Sequence, residues 1–135
     1  MNDPNYLVIG VKASNQIQGL AKLIVKGHSS KVDGVSPIVY LDFVESAPWN
    51  VKRYMNILGQ NPRFKDAGLE LLKATVRHSQ AIGCEGRVGL HSLPESEDFY
   101  RYAGMFEHGK DANKGDLVYF EFAEAKAMNF IGETE

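Results

Sequence analysis

The chain has 135 residues, 44% of them hydrophobic and 24% charged, which is enough apolar material for one globular domain over 1–135 to bury a core without metal or disulfide staples. Fifteen Lys and Arg against 17 Asp and Glu give a formal net charge of −2 and no basic footprint, which excludes a charge-driven role on nucleic acid or on an anionic membrane. No run reaches the roughly 18 apolar residues of a membrane-spanning helix; the start Met1-Asn-Asp-Pro-Asn5 is polar and the lone Cys84 cannot form an internal disulfide, so the cytoplasm is the expected location.

The first third carries strand signals. Tyr6–Ala13 is rich in β-formers, Ser14-Asn-Gln16 makes a turn, and Gln18–Lys26 partly alternates apolar with polar residues, so the two pair most simply as a hairpin. After the turn cluster Lys31–Pro37, the apolar run Ile38–Val44 has strand length and the composition of a central strand. A three-stranded meander is therefore predicted to open the fold.

From Ala47 to Pro62 the pattern lapses into a long loop with prolines, a glycine and the apolar anchors Trp49, Tyr54 and Leu58. Trp49 and Tyr54 either wall an acceptor pocket or pin this loop to the sheet. The turn Arg63-Phe-Lys-Asp-Ala-Gly68 then feeds a helix whose apolar residues Leu69, Leu71, Leu72 and Val76 recur at helical spacing, closed by Gly83. The first N–H groups of such a helix have no intrahelical acceptor, which makes a pocket for phosphate or another anion.

Arg87–His91 reads as the next strand, and Pro94–Tyr102 as a helix opened by Ser92 or Pro94 and stopped by Gly104. Met105–His108 and Leu117–Phe122 are short strands on either side of the turn-rich Gly109–Asp116, and Ala123–Ile131 is a short closing helix. The order β-β-β-α-β-α-β-β puts a meander before a βαβ crossover, which predicts an α+β class with a mixed, mostly antiparallel sheet. Ligands in such sheets collect at the carboxyl end of the strand that precedes the crossover helix.

His28, His78, His91 and His108 show no metal-ligand spacing with Cys84 or the acids, so no metal site is expected. Cys84, between a helix end and a strand, reads as a small buried hydrophobe. Phe120 and Phe122 read as core.

The Arg63–Gly68 turn, the helix and strand after it, and the later helix end Phe99-Tyr-Arg-Tyr-Ala-Gly-Met105 together resemble the GNAT acyltransferases. Their pyrophosphate loop is written Gln/Arg-x-x-Gly-x-Gly/Ala, and their later helix ends in a Tyr-x-x-x-Gly-Phe type motif. Here the first loop glycine is replaced by Asp66, and the meander begins without the family's usual first strand and helices. By element order the resemblance covers roughly residues 6 to 122.

The resemblance implies acetyl-CoA as acyl donor, a small-molecule or peptide amine as acceptor, and direct attack of the amine on the thioester. It implies that Arg63, Phe64, Lys65, Asp66, Ala67 and Gly68 surround the pyrophosphate, that Val44 and Ser46 meet the thioester and pantetheine through backbone N–H groups, and that Ser92 adjoins CoA. Tyr100 stands where the family keeps the acid that protonates the leaving thiolate; the other reading is a helix tyrosine packed on the sheet. Glu45 is the first choice for a base, with Asp42 and His91 behind it. The competing function is a degenerate CoA-binding or protein-interaction module without catalysis. A sheet edge left uncovered by the missing elements predicts a homodimer.

Overall fold

The computed structural model describes residues 5–13, 15–47, 57–58 and 67–132. Strands β1 (Tyr6–Ala13), β2 (Gln16–Ile24) and β3 (Val39–Ser46) form the antiparallel meander. Asn15 turns the first corner at φ 63°, a left-handed conformation that asparagine tolerates better than most residues. The second corner is built around Asp33, whose carboxylate accepts the N–H groups of Val35 at 2.9 Å and Ser36 at 2.8 Å.

Helix α1 (Ala67–Ala81) returns the chain so that β4 (Val88–Ser92) lies parallel to β3. A 3-10 turn at Pro94–Ser96 leads into α2 (Glu97–Ala103), which ends at Gly104 with φ 98°. Strands β5 (Phe106–Asp111) and β6 (Leu117–Phe122) follow, and α3 (Glu124–Phe130) comes last. The six-stranded sheet runs in the order β1-β2-β3-β4-β6-β5, with β3 and β4 as its parallel pair. The class is α+β, and the element order is the one the sequence predicts.

One sheet face carries the core. Leu71, Leu72 and Val76 of α1 are buried with Ala21, Leu23, Val39 and Leu41 from the meander and with Val88, Leu90, Phe120 and Phe122 from the other half. Cys84 is buried in the same cluster, as a small hydrophobe would be. Gly19 lets α1 approach β2 closely, because a Cβ there would stand 3.0 Å from Leu71 Cδ1 and 3.1 Å from the Glu45 carbonyl. The Ser79 hydroxyl ties the end of the helix to the carbonyl of Arg87, at 2.8 Å, just before β4 begins.

The opposite face of β4 and β6 is also filled, by polar and aromatic side chains. Glu121 is 1% exposed, and its carboxylate accepts the Tyr119 hydroxyl at 2.8 Å, the Lys31 N–H at 2.8 Å and the Ser30 hydroxyl. Burial, then the bond to Glu121, raises the Tyr119 pKa well above the usual phenol range and keeps its proton in place. A Cβ on Gly89 would overlap that hydroxyl and stand 2.6 Å from Ile38 Cδ1. Gly89→Ala is therefore expected to destabilise the fold by about 1–3 kcal/mol, the cost of overpacking, as read from a urea midpoint. An unchanged midpoint would mean that Tyr119 can leave Glu121 at no cost.

Candidate active site

The parallel pair is short. Val39 pairs with Val88, Tyr40 with Gly89 and Leu41 with Leu90, after which β3 continues to Ser46 without a neighbour in β4. The register between β2 and β3 also breaks here: Leu23 faces Leu41 and Lys22 faces Phe43, so Asp42 is the extra residue of a bulge. Bulges bend a strand and re-aim its side chains. The fork opens a cleft of about 550 Å3 between the strands.

Seven of the residues singled out in the sequence meet at this cleft: Asp42, Val44 and Ser46 from β3, Gly68 from the start of α1, His91 and Ser92 from β4 and Tyr100 from α2. Ala67 is buried beside them against the sheet. Ala47 donates its N–H across to Gln18 at 3.0 Å. The two-residue alternation of a strand then directs the N–H groups of Val44 and Ser46 to the open, β4 side. Arg63, Phe64, Lys65 and Asp66 lie outside the described residues, as do Trp49 and Tyr54.

Tyr100 is half-buried, with its ring edge-on to Phe99 at 5.2 Å and tilted on Phe120 at 5.7 Å. Burial raises the phenol pKa, so the hydroxyl keeps its proton at neutral pH. A phenol in that state can donate a proton to a stronger base formed beside it. Gly68 lies under α2, since a Cβ there would be 3.9 Å from the Phe99 ring, and this close approach brings the start of α1 beside Tyr100's neighbour.

Glu45 does not line the large cleft. It is exposed, sits opposite Leu20 of β2, and borders a separate depression of about 90 Å3 with Ile17 and Gly19. Asp42 does line the cleft, at the fork. His91 reaches the cleft wall from β4, but its ring is engaged on the other face: Nδ1 is 2.6 Å from the Tyr40 hydroxyl and Nε2 is 2.9 Å from Asp111. Hydrogen bonds from His91, then Lys31, then the Asn113 N–H hold Asp111 down to about 2, so it stays an ionised acceptor. With Asp111 an ionised acceptor, His91 Nε2 donates to it, and Nδ1 is left to the Tyr40 hydroxyl. Among the described residues no group of three or more His, Cys, Asp and Glu could hold a metal ion.

Phe99 was not singled out by its sequence pattern. Its signal was its place one residue before Tyr100, on the same helix end. The bulge that re-aims Asp42 leaves no mark in Ile38–Val44, which reads as an uninterrupted strand.

No family model matches the chain, and no curated protein sequence matches it. Solved structures do resemble it. A protein provisionally described as a streptothricin acetyltransferase from Bacillus anthracis, in complex with acetyl coenzyme A, matches 90% of this chain and 65% of its own length at 19% identity, TM-score 0.61. A bacterial toxin matches 90% of this chain and 68% of its own length at 15% identity, TM-score 0.61. The KacTA–DNA complex contributes a chain that matches 98% of this one and 77% of its own length at 12% identity, TM-score 0.60. Strand order, the forked parallel pair and these likenesses agree: the chain has the GNAT fold.

Proposed function

We propose that the chain is an acyl-CoA-dependent N-acyltransferase, moving an acetyl or related acyl group from CoA to a primary amine. The observation that carries this reading is the cleft at the β3–β4 fork, lined by Val44 and Ser46 of β3 and by Tyr100 of α2. The acetyl-CoA complex of the streptothricin acetyltransferase-like structure supports CoA as the donor.

In this reading the first turn of α1, with Ala67 and Gly68, takes the pyrophosphate on its N–H groups, and Arg63–Asp66 are the residues that adjoin it in the chain. Pantetheine lies along β3 beside Val44 and Ser46, with Ser92 on the facing strand. The acceptor ammonium first gives up one proton to solvent, and the neutral amine then attacks the thioester carbonyl, forming a C–N bond while the carbonyl π pair moves to oxygen. Collapse of that oxyanion breaks the C–S bond, Tyr100 gives its proton to the departing thiolate, and the amide nitrogen loses its extra proton to solvent. The phenol recovers a proton from water. Donors already aimed at the oxyanion need no reorganisation when charge develops.

Acetyl-CoA is expected to raise the melting temperature, since a ligand at a hundredfold its dissociation constant stabilises by about 2.7 kcal/mol. Thiol release in the presence of putrescine, Nα-acetyl-lysine amide or an aminoglycoside is the accompanying readout of transfer. A thermal shift without thiol release would favour the non-catalytic CoA-binding reading. No shift at millimolar acetyl-CoA would defeat both.

A further inference from the structure

An amine reaches this cleft as an ammonium ion, and something must hold that charge before the proton leaves. Among the described lining residues Asp42 is the only carboxylate. It stands at the one step where β3 has left β4, beyond the Leu41–Leu90 pair, and where β2 offers it no register partner. We propose that Asp42 is the acceptor anchor, pairing with the substrate ammonium at the mouth of the fork; the inference rests on the acyltransferase reading of the cleft.

Three further observations agree with an anchor that is available for a ligand. Among the described residues the nearest cation, Lys22, is 3.9 Å away, and both side chains are more than two-fifths exposed, so the pair is weak and easily displaced. In the same position the Lys22 Nζ also lies 4.7 Å from the centre of the Tyr6 ring, so its charge is shared with that ring. Beside Asp42 stands a stacked wall of His28 on Tyr40, ring centres 4.5 Å apart, and the Asp42 charge is felt at both groups. Burial, then the charge of Lys114, lowers the His28 pKa, so the ring adds no positive charge beside the Asp42 carboxylate.

Glu45 is the competing carboxylate, and it faces the other depression. His91 is unsuited to hold a cation, because both ring nitrogens are engaged, one by Asp111 and the other by the Tyr40 hydroxyl.

The test is initial-rate kinetics by thiol release with putrescine and Nα-acetyl-lysine amide, together with the acetyl-CoA thermal shift. Asp42→Asn is expected to raise the acceptor KM tenfold or more, to leave kcat within about twofold, and to keep the acetyl-CoA shift. Asp42→Glu is expected to recover part of the lost affinity, and Glu45→Gln to leave KM unchanged. An unchanged acceptor KM in Asp42→Asn overturns the anchor, and so does a KM change carried by Glu45→Gln instead. If Asp42→Asn and Asp42→Glu both lose the acetyl-CoA shift, Asp42 serves the fold and the anchor is also overturned. Failure of the wild-type protein to release thiol with any amine is seen before any substitution and defeats the acyltransferase reading, taking the anchor with it.

Discussion

Tyr100→Phe is expected to lower kcat about a hundredfold or more while leaving the acetyl-CoA thermal shift intact. The substitution removes one hydroxyl and keeps the ring that packs on Phe99 and Phe120, so the cleft wall and the helix position should survive. A general acid acts in the transition state and contributes on the order of a hundredfold to ten-thousandfold, which at about 1.36 kcal/mol per tenfold is roughly 3–5 kcal/mol of barrier. Because the group does nothing for the bound thioester, the loss should fall on kcat and kcat/KM together. Equal turnover of the two proteins, measured by thiol release, would return Tyr100 to a packing role.

The largest stability effect is expected at Glu121. Glu121→Leu should cost about 3–5 kcal/mol, because it strips the acceptor from two buried donors, the hydroxyls of Ser30 and Tyr119, and from the partly buried N–H of Lys31. Glu121→Gln should cost less, on the order of 1–3 kcal/mol, since its carbonyl oxygen still accepts but its NH2 meets a group that also donates. Urea midpoints of the two variants check this, with Leu expected below Gln. A Leu variant as stable as wild type would mean that the three donors find other partners when the carboxylate is gone.

The contrast between Phe122 and Glu121 shows where the sequence was legible. Strand Leu117–Phe122 was placed with its observed limits, and its phenylalanines belong to the core, because apolar β-formers between turn signals announce themselves locally. Glu121 in the same strand carries no such signal. Its partners Ser30 and Lys31 lie about 90 residues away and meet it only once the sheet has folded. The longer reach of β5, to Asp111 rather than His108, was hidden by a register break between Glu107 and Gly109 and by the 3-10 turn that begins at Ala112.

For the candidate site, residues fixed by backbone position were readable. Val44, Ser46, Gly68, Ser92 and Tyr100 converge because the element order brings the ends of two strands and two helices together. Side-chain direction was not readable. Whether Asp42 or Glu45 looks into the cleft depends on one extra residue in β3, and a shift of a single residue exchanges the two faces of a strand.

The short parallel pairing has a mechanical meaning as well. Helix α1 packs chiefly on β1, β2 and β3, whereas β4, β6 and β5 follow one another on the other side of the sheet, so the Val39–Leu41 seam joins two lobes of one sheet. Opening it breaks few ladder bonds, and elements held by few bonds are the first to separate in native-state fluctuations. Amides along the seam should therefore exchange with solvent sooner than those between β4 and β6. A ligand wedged in the fork would touch both lobes at once and act as a splint, slowing exchange on either side of the sheet well beyond the residues it meets.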